Sequence, residues 1–282
     1  MSTLLAFVDG SVYADSEADH SVWIAGRAAL SVDVVHVLGR RVFSGSTSNL
    51  SGNISLGARS ALLAELSELD EQRAKLAQAR GRMILDAAAD RMRAGGIENP
   101  GTRLRIGDLL ETVTESEADM ILIGKRGEGA DFAKLHLGSN LERVVRASAK
   151  PVFVAAREFR PISRVLIAFD GGTSSLKAVD HVSRSPLYAG LDIHVLSAGQ
   201  DTAEMQQKLD VARGMLAAAG FTPTVSVRPG QPDQVISSAV ETDRIDLLVM
   251  GAYGHSRIRT LIIGSTTTEM IRSCKIPVVL YR

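Results

Sequence analysis

The residues best placed to do chemistry are the glycines and hydroxyls of residues 251–268. Gly251 and Gly254 are followed, after nine residues, by Gly264-Ser265-Thr266-Thr267-Thr268. An apolar run (246–250) leads in and a helix-like run (269–274) leads out. Glycine lets a backbone approach a ligand closely. A helix start offers free N–H groups and the positive end of a dipole to an anion. Ser265 and Thr266 add hydroxyl donors, so the stretch is a candidate phosphate cradle. His255 and Arg257 lie inside the loop and are candidate phosphate contacts, since a guanidinium matches phosphate geometry.

Other chemistry finds less support. Asp9 and Asp170 each end an apolar run, but no second carboxylate or histidine is spaced to make an acid–base pair. The expectation is therefore no catalytic residue and no enzyme. The six histidines lack short metal-ligand spacing, so no metal centre is expected. His36 and His194 read as corresponding strand residues, packed or at the rim, and not as metal ligands. Cys274, the single cysteine, reads as a buried inert thiol within a helix and excludes an internal disulfide framework.

These residues must be positioned by a repeat. Residues 3–9 and 165–170 are apolar runs ending in Asp9-Gly10 and Asp170-Gly171. Residues 119–124 (Asp-Met-Ile-Leu-Ile-Gly) match 246–251 (Asp-Leu-Leu-Val-Met-Gly). Gly138-Ser139 opens a helical pattern, as Gly264-Ser265 does. Lys150-Pro151-Val152 matches Lys275-Ile276-Pro277-Val278. Landmarks recurring in one order at this separation mean two copies of a whole domain. We expect a first domain at 1–156, a linker at 157–163 and a second domain at 164–282. Within each copy apolar runs alternate with helical patterns. Strands apolar almost throughout are buried on both faces, which calls for a parallel sheet. The expected fold is two doubly wound α/β domains, with ligands beyond the carboxyl ends of the strands where strand order reverses.

The combination of Asp170-Gly-Gly-Thr-Ser, Met250-Gly251-Ala-Tyr-Gly254, nine residues, Gly264-Ser265 and Ile276-Pro277-Val278-Val279 resembles the universal stress protein family, once per half. The resemblance implies five-stranded parallel domains of order 3-2-1-4-5 and, for members with this glycine motif, binding of ATP or AMP, with Mg²⁺ as an optional companion. Carried over by position, Asp170 would meet the adenine or ribose end and Val195 would line the adenine pocket. Gly251 and Gly254 would follow ribose and phosphates, and Gly264, Ser265 and Thr266 would hold the phosphates. The first copy departs from this pattern. Asp9, Val37, Gly124, Gly127, Gly138 and Ser139 keep its outline, but ten residues separate Gly127 from Gly138, and Glu128 and Asp131 intrude. Nucleotide is therefore expected mainly in the second domain. A non-nucleotide scaffold is the alternative reading, and an adenine-nucleotide hydrolase a weaker one.

The last strand of each copy would leave an apolar sheet edge, which proteins cover. In the family such strands pair across a two-fold axis, which implies an internal pseudo-dimer and further association into a homodimer. Lys+Arg and Asp+Glu are equal at 32 each. Nucleic-acid binding lacks the basic excess it needs. No apolar run is long enough to span a membrane. The N-terminal stretch reads as a strand and not as a signal peptide, so a cytoplasmic protein is expected.

Overall fold

The computed structural model describes residues 2–39, 56–127, 139–252 and 264–282. The first half runs β1 (Thr3–Phe7), α1 (Ala14–Ala28), β2 (Ser31–Gly39), α2 (Leu56–Ala94), β3 (Gly101–Gly107), α3 (Leu109–Glu115), β4 (Met120–Gly124), α4 (Ser139–Ala147) and β5 (Val152–Ala155). The second runs β6 (Arg164–Ala168), α5 (Thr173–Arg184), β7 (Asp192–Ala198), α6 (Ala203–Ala218), β8 (Thr224–Arg228), α7 (Pro232–Thr242), β9 (Leu247–Gly251), α8 (Ser265–Ser273) and β10 (Val278–Tyr281).

Local chemistry sets the helix ends. The Asp108 carboxylate accepts from the Leu110 N–H at 2.8 Å and starts α3. Thr202 accepts from the Met205 N–H at 3.2 Å and starts α6. Pro232 opens α7, where its missing N–H costs nothing. Gly220, left-handed at φ 88°, follows the end of α6.

The strands form one sheet in the order β3-β2-β1-β4-β5-β10-β9-β6-β7-β8. Each half thus has the order 3-2-1-4-5, all parallel, as expected. The two halves meet where β5 and β10 pair antiparallel, with Val278 against Val154, Val279 against Phe153 and Leu280 against Val152. All four residues of each strand are buried, so the pairing removes both apolar edges at once.

Successive strand residues point to opposite faces, and both faces are covered. Leu4, Ala6 and Val165 pack on one side with residues of α1, α2, α5 and α6. Leu5, Phe7 and Leu166 pack on the other with residues of α3, α4, α7 and α8. This explains why the strands read as apolar throughout. Side chains also cross the seam. Lys125 Nζ donates to the carbonyls of Cys274 and, at 3.3 Å, Ile276. Arg27 Nε donates to Leu187 O at 2.7 Å, in a 3₁₀ turn (Pro186–Tyr188). Tyr188 and Tyr281 join hydroxyls at 3.0 Å within the core. Among the described residues, no helix is long and apolar enough to cross a membrane.

Candidate functional site

Strand order reverses between β1 and β4 in the first half and between β6 and β9 in the second. The carboxyl ends of these strands are where a doubly wound fold receives ligands, two places related by the repeat.

In the second half, Asp170 follows β6 and is held rigidly. Its Oδ1 accepts from the Gly172 N–H at 2.9 Å and the Ser175 hydroxyl at 2.7 Å. This fixes the turn into α5 and turns the carboxylate toward that helix start. Gly251 ends β9. A side chain there would come within 2.7 Å of Ser174 Cβ and 3.2 Å of the Ser175 backbone N. Its glycine is therefore required by close packing of α5, whatever else it does. Gly264 precedes α8, whose start has no side-chain cap. The Gly264 N–H donates to Ala252 O at 3.2 Å, and the buried Thr267 hydroxyl donates to Gly251 O at 3.1 Å. These two bonds pin the start of α8 beside the end of β9. The N–H groups of the first turn, with the exposed Ser265 hydroxyl, open beside that strand end. Gly254, His255 and Arg257 lie outside the described residues.

In the first half, the ends of β1, β2, β4 and the start of α4 enclose a cavity of about 390 Å³. Asp9, Val37, Gly124 and Gly127, all singled out in the sequence, line it together. Asp9 Oδ1 accepts from the Ser11 N–H at 2.9 Å, a turn like that of Asp170. A side chain at Gly127 would come within 3.0 Å of Asp9 Oδ2. Ser139 begins α4, and its neighbours Asn140 and Leu141 complete the wall. Gly138 lies outside the described residues.

Of two further cavity residues, His36 is read from sequence as a packed or rim residue and Glu17 is missed. His36 is buried, its Nδ1 bonded to Val8 O at 2.8 Å, and it borders the cavity. Glu17, on α1, is 3% exposed; the Gly124 N–H donates to its carboxyl, and its Oε2 has no partner. Burial, and secondarily the charge of Asp9, hold its pKa well above the usual carboxylate range. A side chain at Gly124 would collide with Glu17 Oε1 and with Tyr13.

The strand register corrects two sequence expectations. Thr3 pairs with Ser31 as Arg164 pairs with Asp192. Counting from these rungs, Val195 matches Val34, and both are wholly buried in the core between sheet and helices. Val195 is thus not a cleft residue; the counterpart of Val37 is Ala198, half-buried at the end of β7. Likewise His36 matches Ser197, and His194 matches Asp33. His194 Nε2 bonds Asp192 at 3.0 Å, away from the cleft. Cys274 caps α8 and does not lie within it; burial raises its thiol pKa.

The register also shows what replaces Glu17 in the second half. Tyr13 and Ser174 crowd the equivalent glycines Gly124 and Gly251. Four residues further on, α1 carries Glu17 and α5 carries Ala178, which is wholly buried. Among the described residues, no group of three or more His, Cys, Asp or Glu is arranged to hold a metal.

Comparison with known proteins agrees with this architecture. The model of the universal stress protein family matches residues 1–156 and 181–282. A universal stress protein of Synechocystis sp. is 36% identical over 287 residues, covering 100% of both chains. A universal stress protein of Mycolicibacterium smegmatis is 25% identical over 203 residues, 64% of this chain and 68% of that one. The crystal structure of a universal stress protein from Archaeoglobus fulgidus superposes with a TM-score of 0.67 at 21% identity, covering 99% of this chain and 98% of that one, a likeness of fold. With an aspartate after the first strand of each half, two strand-order reversals and a family match over both halves, this chain belongs to the universal stress protein family.

Proposed function

We propose that the protein is a regulatory binder of adenine nucleotide, ATP or AMP, held mainly in the second half. The observation that carries this reading is the uncapped start of α8, pinned to the end of β9 by Gly264 and Thr267. Backbone N–H groups and the hydroxyls of Ser265 and Thr266 at such a helix start suit the phosphates that a doubly wound fold receives beyond its strand ends. Asp170, fixed at the end of β6, stands at the same switch point and has an acceptor suited to ribose hydroxyls. Gly251 ends β9, and Gly254, His255 and Arg257 follow it in the sequence before that helix start. The family resemblance assigns the same ligand to this glycine spacing.

The nucleotide acts by differential binding: it stabilises the state that holds it and shifts the population accordingly. Residues 1–156 and 164–282, joined by 157–163, serve as an internal pseudo-dimer about the β5–β10 pairing. Turnover plays no part in this reading, and any hydrolysis is slow and incidental.

Calorimetric titration with ATP and with AMP tests it. The wild-type protein binds, and the double variant Ser265→Ala/Thr266→Ala binds about tenfold more weakly, the loss of one or two net hydrogen bonds to a charged group. A folded protein that binds neither nucleotide overturns the reading.

A further inference from the structure

On the seam between the halves lies a smaller hollow of about 220 Å³, which shares Lys125 and Arg126 with the first-half cavity. Three parts of the chain build it. Tyr13, Lys125 and Arg126 come from the first half, Arg157 from the connection between the halves, and residues 271–275 from the end of α8. Five of its lining residues are cations: Lys125, Arg126, Arg157, Arg272 and Lys275. Among the described residues that line it there is no Asp or Glu. Like charges gathered around one hollow repel one another.

Structural duties account for only part of this charge. Lys125 Nζ donates to the carbonyls of Cys274 and Ile276, which meets the negative end of α8. Arg272 is bonded to Glu269 at 2.6 Å, and Arg126 has interactions of its own. The exposed side chains of Arg157 and Lys275 have no hydrogen-bond or ion-pair partner among the described residues. The fold does not require the cluster either. Pro151 and Pro277 accept from Ile121 and Leu248, equivalent residues of β4 and β9. By that register Lys125, Arg126 and Lys275 match Ala252, Tyr253 and Ala149, while Arg272 matches Arg146. Three of the five cations are thus confined to one side of the seam.

From five cations brought by three chain segments to one hollow, we infer that the seam binds a small multivalent oxyanion of the phosphate class, with Arg157 and Lys275 as its direct donors. A guanidinium presents paired N–H groups to phosphate oxygens, and a lysine adds a point charge. Lys125 is buried and contributes charge from the wall. Burial lowers its pKa to about 8 and the Arg126 charge pushes the same way, so positive charge is already crowded there and an anion relieves it. The volume falls below the roughly 300–1,000 Å³ of pockets for drug-sized ligands, which suits a small ion and not a whole nucleotide. A bound anion ties the end of α8 to the end of β4 and to the connection between the halves. The nucleotide phosphates are proposed for the opposite end of α8, at Ser265, and neither proposal depends on the other.

Pyrophosphate is the probe, titrated by calorimetry without divalent metal at pH 7 and about 0.15 M salt, where loosely held surface charge is screened. The wild type binds it saturably. The double variant Arg157→Gln/Lys275→Gln, checked as folded by thermal unfolding, binds at least about tenfold more weakly and keeps its affinity for ATP. Arg73→Gln/Lys75→Gln, which removes two exposed cations from α2, binds pyrophosphate as the wild type does. Binding also persists in Ser265→Ala/Thr266→Ala. No saturable binding by the folded wild type, or unchanged binding in Arg157→Gln/Lys275→Gln, overturns the inference. Equal weakening in Arg73→Gln/Lys75→Gln overturns it too, because net charge alone would then draw the anion. So does complete loss in Ser265→Ala/Thr266→Ala, because pyrophosphate would then sit only at the start of α8.

Discussion

The two switch-point clefts share a topology, an aspartate at the end of the first strand and a glycine at the end of the fourth. They part most sharply at one helix position, besides Lys125 against Ala252 and His36 against Ser197. In the second half a small Ala178 stands at that place, and Gly251 lets the start of α5 pack closely on β9. In the first, Glu17 brings a carboxyl into the same place and leaves one oxygen unmatched beside Asp9. Strand order fixes where a ligand can sit, and the side chains on the adjoining helix set the environment it meets there. Function in such a tandem chain has to be argued cleft by cleft.

Exchanging the two environments breaks the comparison most severely. Ala178→Glu forces an acid into a fully buried position with no opposite charge, and we expect a loss of about 4 kcal/mol in chemical denaturation, the scale of an uncompensated buried charge. A loss under about 1 kcal/mol would mean that both halves tolerate the acid equally.

The seam offers a second contrast. His20 and His181 occupy equivalent helix positions beside β5 and β10. His20 is enclosed between Phe153 and Phe159, and burial lowers its pKa to about 4. His181 is half-buried against Tyr281, its pKa lowered for the same cause. Histidine that stays neutral in the fold binds a proton more readily when unfolded. Stability is therefore complete above the ordinary value near 6.5 and falls as pH drops toward about 4. His20 accounts for about 3 kcal/mol of that fall, and His20→Gln flattens it in denaturation curves taken between pH 7 and 4. His181→Gln changes the slope less. Equal slopes in the two variants would contradict the asymmetry.

Lys125 sharpens the contrast further, because its counterpart is Ala252. Lys125→Met strands two seam carbonyls and costs about 2 kcal/mol at neutral pH, measured by denaturant midpoint. Ala252→Lys has no such carbonyl pair assigned to it and gains nothing.

The smallest effect belongs to Glu17 itself. Its pKa is raised in the fold, so it contributes most at low pH, and stability declines as pH rises above the ordinary carboxylate range. Glu17→Ala removes that decline and raises stability at pH 8 by about 1 kcal/mol, read from thermal unfolding without ligand. A loss of stability at pH 8 would mean that the carboxyl is satisfied in solution.

Much of this was legible in the sequence, because the repeated Asp-Gly and Gly-Ser landmarks carry their own alignment. They locate β1, β4, β6, β9 and the starts of α4 and α8, and hence the strand order. The buried strands between them carry no phase. Residues 31–38 and 191–196 are apolar on both faces, so a slip of three residues costs nothing in pattern, and it matched His36 with His194 and brought Val195 to the cleft. Only the rungs Thr3–Ser31 and Arg164–Asp192 restore the register. Glu17 was invisible for a related reason. It reads as one more helix acid among Asp15, Asp19 and Glu17 itself, and its burial depends on α1 lying against Gly124. The reach of Lys125 across the seam depends on the β5–β10 pairing, which no local pattern encodes.

The central claim is that the two clefts are not equivalent, with adenine nucleotide in the second. Titration of ATP into the wild type, Asp170→Asn and Asp9→Asn tests it most directly, since asparagine keeps the turn-forming oxygen in each. The account predicts one ATP per chain, weakened at least about tenfold by Asp170→Asn and unmoved by Asp9→Asn. Two ATP per chain, or a single site lost in Asp9→Asn and kept in Asp170→Asn, would contradict it.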